Sequence, residues 1–185
     1  MRVDPIALAI GFGPSYAALG DRDKQDPAVV SARVIGSAGA VLTFNTSVSF
    51  LKGKVPSVIL RNFFPPEDGF VWSTSTWSEI IFSFSDSSVP NGKSADLILD
   101  LDVFKAPPAL PHQTVLIYLN GLRIGSRDVS RRATVVMTFS PTILKATENV
   151  LTFDTPQASM PSNFGVSDGR CLGMQLFTLQ FRPGG

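Results

Sequence analysis

Residues Thr114–Gly125 read TVLIYLNGLRIG, with Asn120-Gly121 set between the apolar runs VLIYL and LRI. This pair predicts a two-residue β-hairpin. A type I′ turn needs positive φ at both central positions, and Asn followed by Gly meets that demand at least steric cost. On either side, the strand period continues. Upstream, DLILDLDVF at Asp96–Phe104 alternates Leu97, Leu99, Leu101 and Val103 against Ile98, Asp100 and Asp102, and WSEIIFSFS at Trp77–Ser85 sets Trp77, Glu79, Ile81 and Ser83 against Ile80, Phe82 and Phe84. Each reads as a strand with one dry face. Downstream, ATVVMTFS, NVLTFDTP and CLGMQLFTLQFRP supply three more strands, separated by SPTILKATE and SMPSNFGVSDGR. A short helical turn is expected around Pro141–Thr147.

Further toward the start, AVLTFNTSVSF at Ala40–Phe50 reads as one half-buried strand, with Leu42, Phe44, Thr46, Val48 and Phe50 on its inner side. The turn signals SAG and KGKVP punctuate this part, and Pro65-Pro66 excludes a central strand because proline lacks a ladder donor. Fifteen glycines and 14 prolines among 185 residues are too many for a helical protein. The class this predicts is all-β: a two-sheet antiparallel β-sandwich, jelly-roll-like, over residues 28–185. Residues 1–27 mix short apolar pieces with Gly, Pro and charge, and read as an N-terminal arm or lead-in.

Sixteen Lys and Arg against 15 Asp and Glu give a net charge of +1, which offers no global field for nucleic acid or an acidic membrane. One cysteine, Cys171, excludes an intramolecular disulfide, and one histidine, His112, leaves a Cys/His zinc site short of ligands. The apolar run Ile6–Phe12 is interrupted by Asp4 and Pro5 on one side and by Gly11, Gly13 and Pro14 on the other, so it is not read as a signal segment. No apolar run is long enough to span a membrane as a helix. A cytoplasmic location is the expectation.

Glu67 and Asp68 are neighbouring carboxylates, but adjacent side chains of an extended chain point apart and do not by themselves straddle a glycosidic bond. Asp86, Asp96, Asp100 and Asp102 are oxygen donors of the kind calcium takes; the simpler reading of Asp100 and Asp102 is a solvated strand face, and no cofactor is assigned. Arg123, Arg127, Arg131 and Arg132 cluster around a turn and read as solubilising an edge. No nucleophile elbow, P-loop or dinucleotide fingerprint occurs. Trp72 and Trp77 are the two indoles, and an exposed flat aromatic is what the apolar C–H face of a pyranose stacks on.

The string Phe63-Phe64-Pro65-Pro66-Glu67-Asp68-Gly69-Phe70-Val71-Trp72-Ser73 resembles the P-E, G and W-S signature of a β-sandwich accessory domain found beside bacterial glycosyltransferases and other polysaccharide-biosynthesis proteins. Two later segments resemble that family in the same order: Ile117-Tyr118-Leu119-Asn120-Gly121, and Ser167-Asp168-Gly169-Arg170-Cys171-Leu172-Gly173 running into Met174-Gln175-Leu176. Where the family carries a glycine after W-S, this chain has Thr74-Ser75. The resemblance implies a non-catalytic domain that contacts saccharide or a glycan-assembly protein. The ligand-binding residues expected are Trp72 as stacking platform, Trp77 as a second platform, and Glu67, Asp168 and Arg170 as charged groups meeting at one end of the sandwich, either as a clamp or as one wall of a polar site. Two alternatives stand beside this: a structural module that forms a homo-oligomer through residues 1–27, and a glycan-active hydrolase or lyase using Glu67.

Overall fold

In the computed structural model, the residues described are 34–35, 41–52, 58–84, 94–145 and 147–184. The N-terminal arm, residues 1–27, and Asp86 lie outside them. Twelve strands follow in order: β1 (Val34–Ile35), β2 (Val41–Leu42), β3 (Ser47–Ser49), β4 (Ile59–Arg61), β5 (Val71–Trp72), β6 (Trp77–Phe84), β7 (Ala95–Val103), β8 (Gln113–Leu119), β9 (Leu122–Val129), β10 (Ala133–Phe139), β11 (Asn149–Asp154) and β12 (Met174–Pro183).

They form two sheets. The larger runs β1-β4-β6-β11-β8-β9, with β2 also beside β6, and the smaller runs β10-β7-β12-β3, with β5 also on β12. All pairs are antiparallel except β2 with β6. From β6 onward every connection except the β8–β9 hairpin carries the chain from one sheet to the other, which is the jelly-roll habit of closing a sandwich.

The β8–β9 turn is the Asn-Gly turn the sequence predicts, with φ of 53° at Asn120 and 82° at Gly121. Asn120 also acts as a clasp. Its Nδ2 donates to Ile143 O at 2.7 Å and to Asn149 Oδ1 at 2.9 Å, and its Oδ1 accepts from Val150 N at 2.9 Å. The helical turn expected nearby is a 3₁₀ turn at Pro141–Ile143, capped by the Ser140 hydroxyl.

Between the sheets lie Ile80, Phe82 and Phe84 of β6, Leu97, Leu99 and Leu101 of β7, Val115, Ile117 and Leu119 of β8, and Leu151 and Phe153 of β11, all buried. Each such side chain contributes about 1.5–3 kcal/mol by leaving water. β12 fills the core from Met174, Leu176, Leu179 and Phe181. The spacing slips there from two to three because Phe177 is an extra residue, a bulge between Leu176 and Thr178 against β7.

Two expectations need correction. Ala40–Phe50 is not one strand: the chain turns at Asn45, φ 65°, so that β2 joins the larger sheet and β3 the smaller. Nor does β6 have one dry face only. Glu79 and Ile81 on its other side are also buried, Ile81 between its cross-strand neighbours Ile59 and Val150.

Candidate functional site

The segment from Phe63 to Ser73 folds back on itself as a narrow hairpin. Phe63 bridges Ser73, Phe64 N donates to Trp72 O at 2.8 Å, and Glu67 N donates to Phe70 O at 2.9 Å around Gly69, whose φ is 91°. Pro65-Pro66 cannot donate to a ladder, so this limb stays an arm of the loop. The loop is tied down by Arg170. Its Nη1 donates to Glu67 Oε1 at 2.7 Å, while Nε and Nη2 grip the Asp168 carboxylate at 2.8–3.1 Å. The Asp168 carboxylate also accepts from Arg170 N at 2.9 Å, and the guanidinium lies 5.2 Å from the Phe64 ring centre. Hydrogen bonding from Arg170 holds the Asp168 carboxyl below its ordinary value, and the bond to Asp168, then that to Glu67, pushes the guanidinium up.

Just beyond, Ser73 N donates to Met174 O at 2.8 Å and Met174 N donates to Ser73 Oγ at 2.7 Å. Gly173 fits here because it has no Cβ; one built there would lie 2.7 Å from Ser73 Oγ and collide with Thr155 Oγ1. The first and last of the three sequence motifs thus meet residue against residue. The Asn120-Gly121 motif lies at the other end of the larger sheet, where Asn120 pairs with Val150, four strand positions from Trp77 and its partner Asp154.

What the loop presents is Trp72. Val71 is fully buried, so the alternation of β5 turns Trp72 to the outer face of the smaller sheet, where it is half-buried. In register across that face stand Trp72, Gln175 of β12 and Asp102 of β7, and in the next row Ser49, Thr178, Asp100 and Thr134. Phe70 meets Trp72 edge-on, 6.2 Å between ring centres at 84°, and meets Phe177 at 5.5 Å. The β12 bulge is what turns Phe177 outward into this cluster.

Arg132 stacks its guanidinium 3.6 Å over the Phe177 ring. It also forks onto Asp100, Nε to Oδ1 at 3.0 Å and Nη2 to Oδ2 at 2.5 Å, and this hydrogen bonding pushes the arginine up from its ordinary value. Arg132 is therefore not the freely solvating charge the sequence suggested. Asp102 is paired likewise with Lys105, and Asp96 with Arg182.

Of the expected site residues, the structure brings Glu67, Asp168 and Arg170 together as the clamp of the Trp72 loop. Trp77 stands apart from Trp72. It opens β6 in the larger sheet, half-buried opposite Asp154, with its carbonyl accepting from Ser75 Oγ at 2.7 Å. Four residues that the sequence did not single out as ligand-facing, Phe70, Phe177, Arg132 and Asp100, complete the surface around Trp72. Phe177 had one visible signal: the buried leucines flanking it, Leu176 and Leu179, are three residues apart where an unbroken strand spaces them by two. Among the described residues no three His, Cys, Asp or Glu side chains gather to hold a metal ion. Asp96, Asp100 and Asp102 each face a cation of the protein instead.

No protein-family model and no curated protein matches the chain. Solved structures similar to it include carbohydrate-binding modules. A family 36 carbohydrate-binding module in complex with calcium and xylotriose superposes with a TM-score of 0.39 at 14% identity, covering 74% of this chain and 98% of the module. A family 35 carbohydrate-binding module from Clostridium thermocellum gives 0.42 at 13% identity, covering 75% and 99%. A family 36 domain of a multidomain xylanase from the hindgut metagenome of Trinervitermes trinervoides gives 0.42 at 9%, covering 76% and 98%. Likeness at this level assigns neither a ligand nor a site to this chain.

Proposed function

We propose that this chain is a non-catalytic carbohydrate-binding module whose binding surface is the outer face of the smaller sheet around Trp72. The observation that carries this is the cluster Phe70–Trp72–Phe177, held at the margin of a largely polar sheet face that has Ile98 and Val136 as further apolar members. A half-buried indole that lies on the outer face and is braced edge-on by a second ring is a rigid apolar platform for the C–H face of a pyranose. Gln175 and Asp102, in register with it, supply a donor and acceptors for the hydroxyls. In this reading Glu67, Asp168 and Arg170 position Trp72 by fixing its loop and do not themselves contact sugar. Both carboxylates are bound to one guanidinium, an arrangement that suits a tie between loops better than an acid and base flanking a scissile bond.

The finer assignment, to work beside bacterial surface-polysaccharide assembly with a saccharide or glycan-assembly protein as partner, rests on the motif resemblance. It draws support from the contact between the first and last motifs.

The test is a glycan-array screen of the purified chain, followed by titration of hits with tryptophan fluorescence as reporter. Hits are expected to weaken at least tenfold in Trp72→Ala and to persist in Trp77→Phe, with the far-UV circular dichroism of both variants unchanged. Hits that survive Trp72→Ala at full strength would sink the proposed surface.

A further inference from the structure

The outer face of the smaller sheet carries three carboxylates of β7, Asp96, Asp100 and Asp102, and each is matched by its own cation: Arg182, Arg132 and Lys105. The pairs are built differently from a site that collects anions. Arg132 uses Nε and Nη2 on Asp100, and its ring-facing side is covered by Phe177 at 3.6 Å. The Nε/Nη2 edge of Arg132 and its positive charge are therefore already engaged by Asp100. Nη1 makes no hydrogen bond among the described residues, so its two N–H groups remain as donors to sugar hydroxyls.

We infer that the platform selects uncharged oligosaccharides and rejects uronate chains, with the Arg132–Asp100 pair as its specificity-determining element; this rests on the carbohydrate-binding reading above. A pyranose seated on Trp72 has Gln175 and Asp102 beside it in register, and the row with Thr178, Asp100 and Thr134 lies next to that. Trp72, Gln175 and Asp102 span two inter-strand spacings, about 10 Å, which accommodates roughly two sugar rings and places a further one by Arg132.

Hydroxyls on such a chain exchange hydrogen bonds with carboxylates and the amide without burying a net charge. A uronate in the same place sets its carboxylate against Asp100 or Asp102, and the cations beside it, Arg132 and Lys105, already have their charge matched by those two carboxylates. Like-charge contact and the sharing of an already matched cation both oppose it. The motif carboxylates reinforce the bias, since Glu67 and Asp168 share the single cation Arg170.

The experiment titrates the full chain, by tryptophan fluorescence and calorimetry at low and moderate salt, with neutral hexasaccharides (gluco-, manno-, xylo- and galacto-oligosaccharides) and with oligogalacturonate and oligomannuronate of the same length. At least one neutral hexasaccharide is expected to bind in a Trp72-dependent manner, its Kd changing less than twofold between the two salts. The uronates are expected to bind at least tenfold more weakly. Asp100→Asn, which releases the fork of Arg132, is expected to raise uronate affinity at least fivefold and to make it salt-sensitive. Arg132→Gln, a second variant that should fold as readily, removes the cation and should not raise it.

Trp72-dependent uronate binding as strong as neutral binding in the native chain would overturn the selectivity and leave the platform standing. An unchanged uronate affinity in Asp100→Asn would overturn the role of the pair. No Trp72-dependent binding of any of these sugars would overturn both this inference and the reading on which it rests.

Discussion

Arg170 Nη1 donates to Glu67 Oε1 at 2.7 Å, joining two loops 103 residues apart in sequence. The same guanidinium grips Asp168 with its other edge, so one side chain fixes the end of the Glu67 hairpin against the segment that leads into β12. Both strands that this brings together, β5 and β12, contribute to the Trp72 surface. The clamp therefore acts on function through geometry.

Arg170→Met is expected to lower the unfolding free energy by about 1 kcal/mol, because the groups are roughly one-third exposed and water screens the loss. Glu67→Gln should cost about half of that, as the Asp168 fork survives. Urea titration measures both. Sugar binding should weaken more in Arg170→Met than in Glu67→Gln, since only the former frees the whole loop; equal losses in binding would argue that Glu67 touches ligand directly.

Two carboxylates give opposite pH signatures. Asp168 is held below its ordinary value by hydrogen bonds from Arg170, so its contribution is fully present above about pH 3.8 and is lost as pH falls through the lower value it has in the folded chain. Asp154 is pushed up by burial, so the folded state favours its protonated form, and that advantage, complete below about pH 3.8, disappears as pH rises through its folded value. Asp154→Asn is thus expected to raise stability at pH 7 and to change little at pH 3. Asp168→Asn should lower it at pH 7, with the deficit closing in acid. Melting temperatures from pH 3 to pH 7 decide both signs.

Gly173→Ala is expected to cost about 2–3 kcal/mol. The added methyl meets Ser73 Oγ and Thr155 Oγ1, hydroxyls of buried residues that bond Met174 N and Thr76 O, so making room breaks hydrogen bonds that seat the Trp72 loop on β12. The denaturation midpoint should fall with the slope unchanged. Gly169→Ala, in the same motif with open space around its α-carbon, should cost less than about 0.5 kcal/mol.

The sequence makes legible whatever local chemistry decides. The Leu97–Leu99–Leu101 alternation and the Asn120-Gly121 turn depend on period and dihedral preference alone, and both stand in the structure as read. The meeting of Glu67 with Asp168 and Arg170 came from motif order, since no local rule links residues 103 apart. Trp77 misleads for a physical reason: between Trp72 and Trp77 the chain passes from the smaller sheet to the larger, so five residues of sequence separate two layers. Arg132 shows its charge in the sequence but not its partner, which β10 acquires only by pairing with β7.

Deleting Phe177 isolates the role of the β12 bulge. Without it the strand reads Leu176, Thr178, Leu179, Gln180, Phe181, which alternates in and out without a slip and keeps Leu176, Leu179 and Phe181 in the core. The fold is therefore expected to survive, its stability within about 2 kcal/mol of the native chain. The platform should not: Phe70 loses one of its two ring partners and Arg132 loses the ring beneath it, so Trp72-dependent sugar binding should fall at least tenfold. Deleting Gln180 instead shortens the strand by the same single residue but turns Phe181 out of the core, at a cost of about 3–5 kcal/mol. Circular dichroism and urea titration of the two deletions separate a residue kept for the core from one kept for the surface. Collapse of the fold in the Phe177 deletion would show that the bulge serves the sandwich itself.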